Sequence, residues 1–422
     1  LISLLIFVFL LTSCAPGRAT TPPTATMTVE PTATAAPTIT PTPTPITLAD
    51  SPGLPGWVEE YVHAYGGKVT VNGVQMDAEQ LTAAIRQNPE AFIQKKPVNG
   101  IVNSFLIING VPLAVREDNS NWQNASMKTM GNLAGLALGT LLDDTPALLH
   151  WWGDEYTIGT SCLSMTGTMP DRTGINFEWP NYQARIAREN GLTTRMQAAL
   201  FPGDMPAWMD AGFTQSDLDL IVRLFMENAR ENNIDELVVV NETGAPDERR
   251  DLYWEKFGET YVIRAYQLAR EIYPQAKLIY NDANNHRKGY ITTLSTLKIA
   301  NDLYTLGLVD YVGVEMHIDS SNIPTKQELI DVFRSYPVPV MITEFDALLT
   351  DYPEDQREDK LNQITKTVFD GCMESGVCQS ISTWGTNEGV NWDGKHSVLR
   401  DKENRPHQAY YIAIQSMFEH LP

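Results

Sequence analysis

Two glutamates each follow directly on a run of apolar residues. Leu237-Val238-Val239-Val240 ends in Asn241-Glu242, and Val340-Met341-Ile342-Thr343 ends in Glu344. A charge at the end of a buried strand is unexpected unless it points into a cleft, because an ionised carboxylate in an apolar interior is costly. Taken singly, either residue reads as a polar loop position after a strand. Taken together, two carboxyls opposed across about 5 Å suit retaining glycoside hydrolysis. One attacks the anomeric carbon while the other protonates the leaving oxygen. The protonated member needs a pKa raised by partial burial and by its partner's charge.

Such a pair needs a frame that brings distant strand ends together. Apolar strand-like runs occur at 135–140, 155–160, 194–200, 236–241, 277–281, 310–316, 338–343 and 379–384. Amphipathic helical stretches lie between the later ones. Thr214 is placed to cap a helix with Leu218, Ile221, Val222 and Phe225 on one face. A second helix is expected to run from Leu252 through Phe257, Tyr261, Ala265, Leu268 and Ile272 until Pro274 stops it. Eight strands alternating with helices fit an α/β fold of the (β/α)8 barrel type, over residues 131–422. A doubly wound sheet has a similar rhythm, but no glycine-rich phosphate loop follows any strand. The glutamates then fall at the C-terminal ends of strands four and seven, where barrel enzymes place their chemistry.

Residues 50–130 form a small α+β module of undefined role. Val69-Thr70-Val71 and Phe105-Leu106-Ile107-Ile108 read as strands running into Asn-Gly turns, and Asp77 as the cap of a helix carrying Leu81, Ala84 and Ile85. Residues 15–49 are a linker rich in Thr and Pro, which reads as an extended, solvated tether. Residues 1–14 read as a signal peptide: an apolar run closing on Leu11-Thr12-Ser13-Cys14. Cys14 there resembles the acylated cysteine of bacterial lipoproteins, which implies an extracytoplasmic protein, lipid-anchored at the cell surface or secreted.

Across its 422 residues the chain carries 52 acidic and 31 basic side chains, a formal net charge of −21. That balance argues against a nucleic-acid partner or an anionic membrane surface, both of which select Lys and Arg. Membrane contact is expected only through the lipid anchor. Four cysteines are too few for a disulfide scaffold at this length, and no CxxC or HExxH pattern offers a zinc site. Neither a metal nor any other cofactor is expected, and the protein is expected to act as a monomer on neutral ligands.

The motif order resembles glycoside hydrolase family 10, the retaining endo-β-1,4-xylanases of clan A, from about residue 135 to the end. Asn241-Glu242 is similar to the family's NE at the acid/base, and Ile342-Thr343-Glu344-Phe345-Asp346 to its ITELD around the nucleophile. Tyr280-Asn281-Asp282 resembles YND after strand five, and Gly313-Val314-Glu315-Met316-His317 resembles GxQSH after strand six. The resemblance implies that Glu344 is the nucleophile and Glu242 the acid/base, that His317 orients Glu344, and that Asn241 holds the sugar's 2-hydroxyl. Asn281 and Glu315 join the substrate site on the same ground, although Asn281-Asp282 also reads as a helix cap. Thr383-Trp384-Gly385 and Trp392 match the aromatic floor, and Arg405-Pro406-His407-Gln408-Ala409-Tyr410-Tyr411 the closing helix. Cys372 and Cys378 look like the disulfide many of these enzymes carry before strand eight, which would leave Cys162 unpaired.

The pattern breaks on strands two and three. Cys162-Leu163-Ser164-Met165-Thr166-Gly167 keeps nothing of the family's ENxxKW, and Gln197-Ala198-Ala199-Leu200-Phe201-Pro202 replaces HTLVWH, with only Pro206-Ala207-Trp208 surviving beyond it. The usual glutamine of strand six is Glu315, an extra carboxylate that needs a cationic partner or raises its neighbour's pKa. Sugar contacts of the kind lost are worth about 1.5–3 kcal/mol each when charged. The expected substrate is therefore a β-1,4-linked polysaccharide, xylan by resemblance, gripped differently on the non-reducing side. A surface glycan binder that has lost catalysis is the rival expectation.

Overall fold

The computed structural model describes residues 45–118, 120–142, 149–172, 174–209, 212–244, 252–390 and 395–422. Cys14, most of the Thr/Pro tether and Trp392 lie outside the described residues.

The α+β module opens with α1 (Leu54–Ala64), whose buried Leu54, Val58, Tyr61 and Val62 form one helical stripe. A short hairpin follows, β1 (Val69–Val71) and β2 (Val74–Met76), with Asn72 and Gly73 both at positive φ as the expected tight turn requires. The second helix, α2 (Ala78–Gln87), starts at Asp77, whose side chain and that of Gln80 form a reciprocal capping box. Then comes an antiparallel meander of β3 (Ile93–Val98), β4 (Ile101–Ile108), β5 (Val111–Glu117) and β6 (Gln123–Asn124). Helix α3 (Met127–Ala134), capped by Ser126, leads into the barrel.

The barrel strands are β7 (Ala137–Leu141), β8 (Ile158–Cys162), β9 (Thr193–Leu200), β10 (Glu236–Asn241), β11 (Lys277–Ala283), β12 (Tyr311–Ile318), β13 (Val340–Leu348) and β14 (Cys378–Thr383). Each pairs in parallel with the next, and β14 returns to β7, so the sheet closes. All eight coincide with the apolar runs of the sequence. Strands of such a ring are covered on both faces, which explains why β10 is buried at every position and reads as continuous rather than alternating.

Between the strands run α4 (Leu149–Glu155), α5 (Met165–Thr168), α6 (Glu178–Glu189), α7 (Gln215–Glu231), α8 (Leu252–Phe257), α9 (Thr260–Ile272), α10 (Ile291–Thr305), α11 (Lys326–Ser335) and α12 (Glu354–Ser375). The short strand β15 (His396–Ser397) pairs with the end of β13, and α13 (Gln408–Glu419) closes the chain. Thr214 caps α7 as expected, in a box with Asp217. The helix expected from Leu252 to Ile272 is two helices instead. Gly258, at φ 57°, takes a left-handed turn that ends α8 before α9 begins.

The module does not stand apart from the barrel. Tyr61 meets Tyr411 of α13 edge-on with centroids 5.2 Å apart, and Phe105 meets Phe418 at 4.9 Å. Lys96 Nζ donates to the carbonyl of Phe418 at 3.0 Å. One apolar core runs from Leu54 through Phe105 to Phe418, so the module buttresses the outer wall of the barrel.

Inside the ring, Arg195 is fully buried on β9. It donates twice to Glu236 Oε2, at 2.8 and 3.0 Å, and once to Ser382 Oγ at 3.1 Å. Removing one partner of such a pair leaves a buried charge uncompensated, at a cost of about 3–5 kcal/mol.

Cys372 and Cys378 are bonded, tying the end of α12 to the start of β14. Cys162 is disulfide-bonded as well, against the expectation of an unpaired thiol. Replacing Cys372 and Cys378 together by serine is expected to lower stability by about 2 kcal/mol, since a six-residue closure removes little chain entropy. Urea denaturation of the two forms measures it.

Candidate active site

Glu242 sits just past β10 with φ at 49°, a left-handed conformation that costs a residue with a side chain about 1–2 kcal/mol. Its N–H donates to the carbonyl of Asn281 at 3.1 Å, which holds the turned backbone against β11. Such a turn re-aims the side chain relative to the strand, and Glu242 is largely buried. Backbone strain of this kind is tolerated where the surrounding structure enforces it, often at functional positions.

Glu344 lies midway along β13, opposite Glu315 of β12, just after a shift in register between Val314 and Glu315. Register irregularities of this type redirect side chains. Three donors from three other strands converge on its carboxylate. Gln197 Nε2 of β9 lies 2.8 Å from Oε1, Asn281 Nδ2 of β11 lies 3.4 Å from Oε1, and His317 Nε2 of β12 lies 3.2 Å from Oε2.

Asn281 is the hub of the site. Its Nδ2 also lies 2.7 Å from Asn241 Oδ1 and 2.8 Å from Glu315 Oε1, while its Oδ1 accepts from Thr343 Oγ1 at 2.6 Å. That last bond fixes which way the amide points. The crowding has a backbone requirement: a Cβ at Gly313 would stand 2.1 Å from Asn281 Oδ1. The alternative reading of Asn281-Asp282 as a helix cap does not hold. Both residues lie within β11, and Asp282 instead accepts from Tyr280 Oη and Thr296 Oγ1.

His317 ties the charges together. Its Nδ1 lies 2.8 Å from Asp346 Oδ1, its Nε2 3.2 Å from Glu344 Oε2 and 4.0 Å from Glu315 Oε2. Burial acts to lower its pKa, but the charge of Asp346 and the hydrogen bonds to Asp346 and Glu344 outweigh burial and raise it to about 10. It is therefore an imidazolium at neutral pH, and supplies the cation that an extra carboxylate at position 315 requires. Donor atoms of Glu315, His317 and Glu344 lie within 4.8 Å of one another, a spacing that could surround a metal. An imidazolium has no lone pair to give, so the trio in this protonation state shares a proton instead.

Asp346→Asn removes the largest of the influences that raise the His317 pKa, and is expected to move the imidazole titration down from about 10. The sign for stability follows from the unfolded reference of about 6.5. With the folded value raised, the stabilisation is fully present below about pH 6.5 and is lost as pH rises through about 10. NMR of the His317 ring across pH 5–11 checks both; titration near 6.5 in the wild type would contradict them.

Trp384 is mostly buried and edge-on to the His317 ring, with centroids 6.5 Å apart. Trp208 of the retained Pro-Ala-Trp is used locally: its Nε1 donates to the carbonyl of Met169 at 2.7 Å, and the Arg172 guanidinium lies 5.5 Å from its ring. Three residues escaped the sequence reading as members of the site. Asp346 is two residues beyond Glu344, so alternation along the strand already put them on one face. Gln197 was read only as a lost family residue, yet it donates to Glu344. His396, whose Nε2 is 3.9 Å from Asp346 Oδ1, arrives from β15 and had no local signal.

A closed parallel barrel that carries Glu242 just past its fourth strand and a donor-cradled Glu344 on its seventh fits a glycoside hydrolase. Residues 161–416 match the family model for glycosyl hydrolase family 10, and the chain belongs to that family. Endo-1,4-beta-xylanase A of Thermotoga maritima is 25% identical over 279 residues, covering 59% of this chain and 26% of that protein. An endo-1,4-beta-xylanase of Agaricus bisporus is 26% identical over 247 residues, covering 57% of this chain and 74% of that one. This chain thus matches only about a quarter of the Thermotoga enzyme's length. Among solved structures, xylanase 10B from Thermotoga petrophila in complex with xylobiose superposes with a TM-score of 0.64 at 20% identity, over 71% of this chain and 99% of that one.

Proposed function

We propose that the protein is an endo-1,4-β-xylanase whose glycone side differs from that of its family, with Glu344 as nucleophile and Glu242 as acid/base. The observation that carries this reading is the cradle of Glu344. Gln197, Asn281 and the His317 imidazolium all donate to its carboxylate, which orients it and backs it with positive charge. In the first step an oxygen of Glu344 attacks the anomeric carbon from below as the carboxylic acid of Glu242 protonates the departing glycosidic oxygen. In the second, Glu242 takes a proton from water, which displaces Glu344 from the sugar. Asn241, held by Asn281, is placed for the 2-hydroxyl of the sugar being cleaved. Trp384 packs edge-on against His317, and Trp392 is assigned to the sugar's floor on the family resemblance alone.

The rival reading, a glycan binder without catalysis, is favoured by the missing strand-two and strand-three residues. A binder has no need of a donor-cradled carboxylate on one strand and a second carboxylate on a turned backbone past another. In the enzyme reading the protein acts outside the cytoplasm, where disulfides such as Cys372–Cys378 persist.

Hydrolysis of an aryl β-xylobioside and an aryl β-cellobioside, with Glu344→Ala as the blank, tests the activity. Turnover of the xylobioside above the blank is expected. Turnover of the cellobioside alone would keep the mechanism and move the substrate, and binding without turnover of any glycan would favour the binder.

A further inference from the structure

Trp179 and Tyr182 lie one turn apart near the start of α6, 36% and 38% exposed. Their rings are 23° from parallel with centroids 5.5 Å apart, an offset stack. Arg185, one further turn along, places its guanidinium 5.3 Å from the Tyr182 centroid and is held in turn by Glu189 at 2.9 Å. The spacing i, i+3, i+6 keeps all three on one face of the helix. Tyr182 therefore backs the indole and Arg185 flanks the phenol ring. The outcome is a flat aromatic surface, oriented in advance and presented to solvent.

The chemistry of an occupant follows from that shape. A flat apolar face edged by the Arg185 guanidinium complements a pyranose, whose C–H face is apolar and whose edge is hydroxylated. A protein or membrane partner selects a broader apolar patch than two rings among charged neighbours. Nucleic acid stacks on aromatics too, but a net charge of −21 opposes its backbone. Location adds a second argument. α6 is entered from the C-terminal end of β8, so the stack stands at the end of the barrel that carries Glu242 and Glu344. It lies on the side where strands two and three lack the family's sugar-gripping residues.

We propose that Trp179 and Tyr182 form an accessory site that holds a β-1,4-linked polysaccharide outside the catalytic cleft. The proposal rests on the xylanase reading for the identity of the polymer. A second point of attachment raises the effective concentration of a long chain at the cleft without altering the chemistry on a short one.

The test uses the full chain with Trp179→Ala and Tyr182→Ala combined. In a Glu344→Gln background, depletion by insoluble xylan is expected to show binding about tenfold weaker than with the aromatic pair intact. In the active protein, hydrolysis of insoluble xylan is expected to fall comparably while kcat/KM on an aryl β-xylobioside is unchanged. Trp179→Phe with Tyr182→Phe should retain most of the binding. Polymer binding and hydrolysis that ignore the alanine changes would overturn the site, as would an equal loss on the aryl glycoside, which would mark structural damage. Failure of the function reading is distinct: the wild type would then leave the aryl xylobioside and the polymer uncleaved, whatever stands at 179 and 182.

Discussion

Glutamine in place of Glu344 is expected to stop turnover, lowering kcat/KM by at least about 10⁴-fold on every glycoside the wild type cleaves. The substitution is nearly isosteric. Its amide oxygen can still accept from Gln197 and Asn281, so the cradle keeps most of its bonds. What disappears is the negative oxygen that attacks the anomeric carbon, and nothing else described in the cleft is held to replace it. Glu315 is the nearest carboxylate by strand pairing, but its Oε1 is bonded to Asn281 and its side chain is almost wholly buried. His317 keeps its bond to Asp346, so the barrel should hold. Circular dichroism and the unfolding transition are expected to match the wild type closely, which separates a chemical loss from a folding one. Retention of more than about one per cent of the activity would transfer the nucleophile to another residue.

The second large effect divides substrates by leaving group. Glu242→Ala removes the proton donor, and general acid catalysis contributes about 10²–10⁴-fold where the leaving oxygen is strongly basic. Natural xylan and weakly activated aryl xylobiosides should lose that factor. A dinitrophenyl xylobioside needs no proton to depart, so formation of the glycosyl-enzyme should be nearly unaffected. Its breakdown should slow, because the same carboxylate activates the attacking water. The expected record is a burst of phenolate followed by a slow steady state. Equal losses on natural and activated substrates would show that Glu242 acts on something other than the leaving group.

Much of this site was legible in the sequence for one physical reason. In a closed parallel sheet both faces of a strand are covered, so each barrel strand announces itself as an apolar run, and a glutamate that ends such a run stands out. That logic located β10 with Glu242 and β13 with Glu344, and the family resemblance then supplied Asn281, Glu315 and His317. The residues that were missed depend on distances that no local pattern encodes. Gln197 and Glu344 are 147 positions apart, and only closure of the ring brings the amide to the carboxylate. A glutamine in place of the family's residue still carries an amide that can donate, and Gln197 uses it on Glu344. The Arg195–Glu236 pair was hidden for a related reason: a fully buried arginine inside an apolar barrel is tolerated only because Glu236 and Ser382 meet it there. The break at Gly258 was visible as a glycine, yet the apolar spacing on either side still read as one continuous helix. The α+β module was drawn correctly as hairpins and a capped helix, while its docking on α13 through Tyr61 and Phe105 had no signature in its own segment.

Hydrolysis is expected to pass through a sugar covalently bound to Glu344. The most direct measurement is mass spectrometry of the Glu242→Ala protein, quenched in acid during slow turnover of a dinitrophenyl β-xylobioside, followed by peptide mapping. A xylobiosyl adduct on the peptide that contains Glu344, absent when Glu344 is also replaced, is the predicted result. An adduct on Glu315 or on any other residue, or a phenolate burst with no adduct at all, would contradict it.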